Sequence, residues 1–287
     1  MSIKEKYDYV IIGSGFGGSV SALRLAEKGY SVLVIEKGKK FESEDFPKTN
    51  WNLRKWLWIP GLKFFGIQKL NFLRHISALS GVGVGGGSLV YANTLPKPKT
   101  PFFNQGSWKG LADWENELAP HYDTAWRMLG AALNPVLAES DLAMQQLAAK
   151  MNKSGQFSPT TVAIYFGEPE VTVKDPYFDG KGPGRTGCRH CGACMTGCRH
   201  NAKNTLDKNY LHLAQQLGVT ILAENEVTSV KPLGKNGIDG YEISFRQSTK
   251  YFSRTQTVNA GGVIFAGGVF GTIPLLLKLK KTTLPGL

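Results

Sequence analysis

The first forty residues carry the pattern that most restricts how this chain can fold. An apolar run at residues 9–12 (YVII) leads directly into residues 13–18 (GSGFGG). Apolar residues then recur at helical spacing as far as Gly29, and a second apolar run occupies residues 31–35 (SVLVI). Continuous apolar runs of this kind are typical of strands buried in a parallel sheet. The pattern therefore predicts a strand, a helix and a second strand, and with them an α/β fold.

The glycines of the first turn lie where a phosphate-binding turn needs them. Gly13 permits a tight turn, Gly15 lets a pyrophosphate approach the backbone, and Gly18 lets the helix pack closely on the sheet. Unpaired N–H groups and a partial positive charge at the start of the helix attract phosphate. We therefore include Phe16 and Gly17, which lie in the same turn, among the candidate cofactor-binding residues.

Glu36 follows the second strand, 18 residues after Gly18. A carboxylate there can accept hydrogen bonds from ribose hydroxyls and repels a 2′-phosphate. The alternative is an ordinary glycine turn of an α/β protein, although strand, helix, second strand and acid occur in the expected order. We predict a dinucleotide without a 2′-phosphate, and this fingerprint does not separate FAD from NAD.

A second glycine-rich segment, residues 81–88 (GVGVGGGS), favours FAD over a pyridine nucleotide. It is too long for an ordinary turn, and its backbone could approach a large planar ring. A flexible linker is the alternative, but the apolar residues Val82, Val84 and Leu89 are unlike a polar linker. This segment and the glycine turn at residues 266–268 add the candidate cofactor-binding residues Gly81, Gly83, Gly85, Gly86, Gly87, Gly267 and Gly268.

The rest of the chain predicts further helices and a group of strands. Helices are predicted at residues 114–129, 138–151 and 206–217, and a basic amphipathic helix ends the sequence. Strands are predicted at residues 219–222, 227–230, 241–245, 256–258 and 262–266, with a hairpin turn at residues 237–240. We expect these strands to return the chain to the first sheet and to add a β-meander.

The composition excludes several classes of protein. The chain has 287 residues, of which 42% are hydrophobic, so it can bury a core and is not disordered. No apolar run reaches the roughly 18 residues of a spanning helix, and the N-terminus lacks a secretory signal pattern, so we expect a cytoplasmic protein.

The net charge of +12 is compatible with binding to nucleic acid, to an anionic membrane or to a polyanionic cofactor. Because no nucleic-acid-binding module accompanies it, we expect no nucleic-acid partner.

The four cysteines lie close together, as Cys188, Cys191, Cys194 and Cys198. This spacing indicates a local site in a reducing compartment rather than a disulfide framework. It matches an iron–sulfur ligand run, which would relay electrons from a flavin to an acceptor other than oxygen. Against a cluster, no second run is present and Arg199 occupies the expected proline position. Zinc, and structural thiols without metal, are the other interpretations.

Residues 51–74 combine tryptophan and phenylalanine with lysine and arginine. Such a mixture suits peripheral contact with an anionic membrane, where aromatic rings lie among the headgroups. The alternative is a lid that packs on its own protein or contacts a further part of it.

Three blocks together resemble one enzyme family: residues 13–18 with Glu36, residues 81–91, and the cysteine-rich block at residues 188–211. They are similar to the glucose–methanol–choline (GMC) oxidoreductases, and the third block is most similar to the cholesterol-oxidase-like branch. The resemblance covers essentially the whole chain. It implies FAD, covalently or non-covalently bound, in a Rossmann-type domain. It also implies oxidation of a sterol or another lipophilic alcohol by hydride transfer to the flavin.

The resemblance also assigns places to individual residues. Residues 81–93, including Ser88 and Asn93, would lie along the isoalloxazine, and Val227 would lie near the adenine. Gly267 and Gly268 would lie near the pyrophosphate and the ribityl chain. The implied domains are residues 1–50 (first part of the FAD-binding domain), 51–94 (lid and glycine-rich flavin loop), 95–187 (part of an inserted substrate domain) and 188–287 (cysteine-rich loop and return to the FAD-binding domain).

The family keeps its catalytic histidine, with a His or Asn partner, in a C-terminal half that this sequence does not include. The five histidines present are His75, His121, His190, His200 and His212. None has the family's catalytic setting, so we name no catalytic residue. We expect the N-terminal part of a longer enzyme, with an incomplete substrate domain and a complementing C-terminal polypeptide. A catalytically inactive flavin-binding fragment is the alternative.

Overall fold

The computed structural model describes residues 4–287. Its strands are β1 (Lys6–Ile12), β2 (Val32–Ile35), β3 (Trp58–Ile59), β4 (Phe64–Phe65), β5 (Gln68–Phe72), β6 (Ser77–Gly81), β7 (Ala132–Leu133), β8 (Thr161–Val162), β9 (Thr172–Val173), β10 (Arg185–Thr186), β11 (Thr220–Leu222), β12 (Asn225–Pro232), β13 (Tyr241–Gln247) and β14 (Gln256–Phe265). Its helices are α1 (Phe16–Glu27), α2 (Leu53–Trp56), α3 (Thr100–Phe103), α4 (Trp114–Met128), α5 (Glu139–Lys150), α6 (Tyr210–Gln216) and α7 (Val269–Lys280).

A six-stranded mixed sheet organises the fold, in the order β11-β2-β1-β14-β13-β12. The strands β11, β2, β1 and β14 are parallel neighbours, whereas β14, β13 and β12 form an antiparallel meander. Tyr9 of β1 lies opposite Val32 on one side and Gly262 on the other. The predicted α/β fold, with a mixed sheet and a β-meander, is confirmed.

The two strands predicted at residues 256–258 and 262–266 are a single strand of 10 residues, β14. Its first half pairs antiparallel with β13, and its second half pairs parallel with β1. Gly261 and Gly262 therefore continue the strand instead of interrupting it. The prediction of two strands was wrong because pairing with neighbours on both sides outweighs the weak strand preference of glycine.

The helix predicted at residues 206–217 begins later than expected. Leu206–Lys208 form a short 3-10 turn, and α6 starts only at Tyr210. Asn209, between them, has φ −134° and ψ −95°, and its side-chain oxygen accepts a hydrogen bond from the Tyr210 N–H. The asparagine interrupts the helical backbone because its side chain competes for backbone hydrogen bonds.

Hydrophobic layers cover both faces of the sheet. The helices α1 and α6 pack on one face, where Ile11 and Leu211 are fully buried. The meander and α7 enclose the other face, where Leu33, Ile243 and Leu279 are fully buried. Apolar contacts on both faces hold the carboxyl ends of the parallel strands in fixed positions.

Smaller units lie beside the sheet. The strand pairs β3–β4 and β5–β6 are hairpins in the segment proposed as a lid. The helices predicted at residues 114–129 and 138–151 are confirmed as α4 and α5. No helix in residues 4–287 combines the length and the apolar character needed to cross a membrane.

Candidate functional site

A cleft of about 1290 Å³ opens at the carboxyl ends of β1, β2 and β14. Open α/β sheets bind their ligands at this edge. The predicted cofactor-binding residues that line the cleft are Gly13, Gly15, Phe16, Gly17, Glu36, Gly81, Gly86, Gly87, Val227, Gly267 and Gly268. The fold thus brings the first turn, the second glycine-rich segment and the turn after the last strand to one place.

The remaining predicted residues do not line the cleft. Gly18 lets α1 pack on the sheet, because a Cβ there would lie 2.0 Å from the Gly13 carbonyl oxygen. The buried Ser88 hydroxyl donates to the Gly85 carbonyl oxygen at 2.7 Å and accepts from the Leu206 N–H at 3.0 Å. The other predicted residues that do not line the cleft are Gly83, Gly85 and Asn93. Direct contact of these residues with a cofactor stays a prediction.

The first glycine turn presents bare backbone to the cleft. Gly13 has a φ of +101°, a conformation that favours glycine. A Cβ added at Gly15, the N-cap of α1, or at Gly17 would meet no atom within 4 Å. The helix, all of which is described, carries no acidic side chain in its first turn. Its unpaired N–H groups and its dipole therefore make this turn a site for anions such as phosphate.

Glu36 is fixed at the end of β2, with 6% of its surface exposed. Its Oε2 accepts hydrogen bonds from the Ser14 N–H at 3.0 Å and from the Ser14 hydroxyl at 2.8 Å. Its Oε1 accepts one from the Gly38 N–H at 2.9 Å. Because a carboxylate offers about four acceptor positions, one remains for the cleft that Glu36 lines. The remaining acceptor can receive a ribose hydroxyl.

The two glycine-rich turns touch each other at the start of α1. A Cβ on Gly86 would lie 2.7 Å from the Gly15 Cα, and Gly86 itself has a φ of +53°. Ser14, which sequence reasoning missed, links the same segments: its hydroxyl accepts from the Gly85 N–H at 3.1 Å while it donates to Glu36. Local sequence patterns carry no signal for this link, because Ser14 and Gly85 are 71 residues apart.

Two aromatic rings form part of the cleft wall. Phe16 and Tyr91 meet edge to face, with ring centroids 5.8 Å apart, and both line the cleft. The Tyr91 hydroxyl donates to the Asn204 carbonyl oxygen at 3.0 Å. Burial raises the pKa of Tyr91, so its phenol stays neutral at physiological pH. Uncharged aromatic rings in this position suit contact with a planar ring of a ligand.

Gln68 gives the cleft a polar group that no sequence motif indicates. It lies opposite Gly81 in the β5–β6 hairpin and is 3% exposed. Its Nε2 donates to the Met195 carbonyl oxygen at 3.4 Å, which sets the orientation of the amide. Its buried Oε1 has no hydrogen-bond partner among residues 4–287. An unpaired buried acceptor costs free energy, so this site fits a ligand that carries a hydroxyl or N–H donor.

The cysteine-rich loop reaches the cleft through Met195. Its cysteines are free thiols, of which Cys191 is exposed and the other three are half-buried. Burial raises the pKa of Cys188, so this thiol stays protonated at neutral pH. In the described residues, no three His, Cys, Asp or Glu side chains are grouped so as to hold a metal ion. The structure therefore adds no support to the iron–sulfur or zinc interpretation.

The histidines are not part of the cleft wall. All five are within the described part of the chain, and none of them lines the cleft. His75 is exposed between β5 and β6, and His190 stacks on Phe166 with ring centroids 5.6 Å apart. The cleft, as formed by residues 4–287, therefore contains no imidazole that could act as a base.

These features together fit an extended dinucleotide. The start of α1 suits the diphosphate, Glu36 suits a ribose hydroxyl, and the ring pair suits a planar group. The volume of about 1290 Å³ exceeds the roughly 300–1,000 Å³ of pockets for smaller ligands. The unpaired Gln68 acceptor and the open positions at Gly15 and Gly17 are the observations on which this fit rests.

Known proteins match this chain along most of its length. The family profile described as FAD dependent oxidoreductase matches residues 8–285. A cholesterol oxidase of Acinetobacter baumannii is 48% identical over 284 residues, covering 96% of this chain and 51% of that protein. A cholesterol oxidase of Mycobacterium tuberculosis is 47% identical over 292 residues, covering 99% of this chain and 50% of that protein.

A solved structure shows the same fold. The crystal structure of a formate oxidase superposes with a TM-score of 0.52 at 17% identity, covering 96% of this chain and 48% of that one. At this identity the likeness concerns the fold alone. The chain spans about half the length of the curated relatives it matches.

Proposed function

We propose, since this chain belongs to the family of FAD-dependent oxidoreductases, that its cleft holds FAD for the oxidation of an alcohol. The family is enzymatic, and the GMC resemblance is confirmed, because the relatives include cholesterol oxidases and GMC-type oxidoreductases. The observation that supports FAD binding most strongly is the contact between the two glycine-rich turns at the start of α1. It creates a continuous bare backbone surface from the diphosphate site to the aromatic wall.

The proposed placement of FAD follows the lining of the cleft. Gly13, Gly15 and Gly17 hold the diphosphate at the start of α1, and Glu36 accepts a hydrogen bond from the adjoining ribose. Val227 lies at the adenine end. The remaining lining residues, which would contact the ribityl chain and the flavin ring, are Gly81, Gly86, Gly87, Tyr91, Gly267 and Gly268. The division of the chain into domains at residues 50, 94 and 187 is part of the same proposal.

FAD, when bound, would supply the group that accepts the hydride leaving the carbon of the alcohol. The described residues bind and orient it, exclude water from part of its surface, and form an uncharged wall beside it. Removal of the hydroxyl proton needs a base, and no histidine among residues 4–287 lines the cleft. We propose that a complementing C-terminal polypeptide provides this base. A flavin-binding chain without turnover is the alternative.

The substrate that we propose is a sterol or another lipophilic alcohol, and the support comes from the two cholesterol oxidases at 47–48% identity. The test uses the purified 287-residue chain, loaded with FAD under anaerobic conditions. We expect cholesterol to leave the flavin oxidised. We expect reduction once a polypeptide corresponding to the second half of the relatives is added. Flavin reduction by a sterol in the chain alone contradicts the need for a second polypeptide, and no reduction in the mixture contradicts the proposed substrate class.

We also propose peripheral contact with a membrane for a cytoplasmic protein. The tip of the β5–β6 hairpin exposes Phe72 and Ile76, which are 76% and 60% exposed. Arg74 lies between them in the sequence. Apolar side chains interleaved with a basic one suit the surface of an anionic bilayer. A lipophilic substrate would enter from such a surface.

A further candidate is electron relay through an iron–sulfur cluster. The spacing of Cys188, Cys191, Cys194 and Cys198 is the observation that favours it. The relay predicts iron and acid-labile sulfide in equal, stoichiometric amounts in anaerobically purified protein. Absence of both discards the relay and leaves transfer from FAD directly to an external acceptor.

A further inference from the structure

Lys203 is fully buried, and all three N–H groups of its side-chain ammonium donate hydrogen bonds. Its Nζ donates to the carbonyl oxygens of Leu89 at 3.0 Å, Tyr91 at 2.7 Å and Cys194 at 2.9 Å. An ammonium group has three N–H donors, whereas a neutral amine has only two. The three acceptors therefore favour the charged form, which Lys203 carries near and below neutral pH because burial lowers its pKa to about 7.

These hydrogen bonds join two loops that are distant in the sequence. Leu89 and Tyr91 follow the second glycine-rich turn, whereas Cys194 lies in the cysteine-rich loop. The buried Arg185 guanidinium donates to the carbonyl oxygen of Lys203 at 2.6 Å and to Asn204 Oδ1 at 2.6 Å. Both the backbone and the ammonium group of Lys203 are thus held in place.

The positive charge of Lys203 is not cancelled by a direct ion pair. The titratable groups around it are Asp207, Lys208 and the thiols of Cys194 and Cys198. None of the salt bridges within residues 4–287 includes Lys203. A charge in the interior of a protein acts over a longer distance than the same charge in water.

The charge lies directly behind the cleft wall. Lys203 Nζ is 4.6 Å from the centroid of the Tyr91 ring, and Tyr91 lines the cleft beside Phe16. A ligand that contacts this ring is therefore separated from the ammonium group by the thickness of one side chain. Oxidised flavin is neutral, whereas reduced flavin readily becomes an anion, so a nearby cation stabilises the reduced state more than the oxidised state.

We propose that Lys203 is a positioning residue that fixes the glycine-rich turn and that its charge favours reduced FAD in the cleft. This inference rests on the proposed binding of FAD. It assigns to the cysteine-rich block a role in the electron affinity of the flavin that requires no metal, because Cys194 contributes its backbone carbonyl oxygen and not its thiol.

The test is the two-electron midpoint potential, at pH 6, of FAD bound to the 287-residue chain, with the variants Lys203→Met, Lys203→Arg and Lys208→Met. At this pH Lys203 is charged, because its pKa is about 7. Lys208→Met is the matched control: it removes a half-buried cation whose Nζ donates to Asn201 Oδ1 and which does not line the cleft. For Lys203→Met we expect reduced FAD to bind about tenfold more weakly relative to oxidised FAD. That ratio corresponds to a potential about 30 mV lower. Lys203→Arg should restore most of the difference, and Lys208→Met should change it much less.

Equal potentials in wild type and Lys203→Met, with both chains carrying FAD, overturn the inference. So does a shift in Lys208→Met as large as that in Lys203→Met. If Lys203→Met does not fold, the wild type is measured alone: its reduced FAD should keep the absorbance of the anionic form to lower pH than free reduced FAD. An unchanged titration overturns the inference. A wild-type chain that binds no FAD contradicts the proposed function itself, and the inference then fails with it.

Discussion

A Cβ atom placed on Gly86 would lie 2.7 Å from the Cα of Gly15, so the two glycine-rich turns of the cleft touch through bare backbone. The glycine motifs in the sequence predict a cofactor contact for each turn separately. The structure adds that the two turns are in direct contact and that the Gly85 N–H donates to the Ser14 hydroxyl at 3.1 Å. The contact explains why glycine is needed at Gly86, whereas a Cβ on Gly15 would meet no atom within 4 Å. It leads to the first prediction.

Gly86→Ala should separate the two turns, because the new methyl group collides with the backbone of Gly15. We expect FAD to bind at least tenfold more weakly, measured by fluorescence titration. The control is Gly110→Ala, which also has a positive φ, +76°, but would meet no atom within 4 Å. It should lower the free energy of unfolding by only the roughly 1–2 kcal/mol that a non-glycine residue costs in the left-handed conformation. FAD affinity should stay unchanged. Equal affinities in wild type and Gly86→Ala would show that the contact is not needed.

Glu36→Gln should weaken both folding and FAD binding. The carboxylate accepts three hydrogen bonds from Ser14 and Gly38, and an amide nitrogen in place of one oxygen would face N–H donors. Leaving a buried donor unpaired costs about 1–3 kcal/mol of the free energy of unfolding. We expect about tenfold weaker FAD binding from titration. Glu27→Gln, on the exposed Arg24–Glu27 pair of α1, serves as control and should change neither quantity by much, since exposed pairs contribute about 0–1 kcal/mol.

Lys203 should make stability depend on pH. Burial lowers the pKa of Lys203 from 10.5 to about 7. Between these values the unfolded chain binds a proton that the folded chain does not, so the free energy of unfolding rises with pH across this window. Each unit of pKa difference corresponds to about 1.4 kcal/mol. Urea unfolding at several pH values between 7 and 10 should show this rise in wild type and a weaker one in Lys203→Met. If the free energy of unfolding rises equally with pH in the two proteins, the pH dependence does not come from Lys203.

The exposed hairpin tip predicts binding to anionic vesicles. Phe72→Ser combined with Ile76→Ser removes two apolar side chains from the tip and should abolish most co-sedimentation with vesicles that contain phosphatidylserine. The control is Phe252→Ser, because Phe252 is 98% exposed but lies between β13 and β14. If wild type does not co-sediment, or if the control loses binding as strongly as the double variant, the membrane proposal fails.

Much of the fold could be predicted because its signals are local. The first turn, Glu36 and the continuous apolar strands are each specified by fewer than about ten neighbouring residues. The strand β14 shows where such reasoning fails. Its glycines resemble a strand end, and only its pairing with β13 and β1 shows that the strand continues.

The missed parts of the site depend on contacts between distant segments. Gln68 and Met195 are 127 residues apart, and Lys203 is 114 residues from Leu89. A glutamine in a short hairpin or a lysine in a basic loop is more often a solvated side chain. Only the folded chain shows that Gln68 offers an unpaired acceptor and that Lys203 is fully enclosed.

The most direct measurement is the flavin content of the purified chain. We expect a yellow protein that releases one FAD per chain, or a protein that binds added FAD with saturable quenching of the FAD fluorescence. A chain with the circular dichroism of a folded α/β protein that is colourless and shows no affinity for FAD would contradict the account.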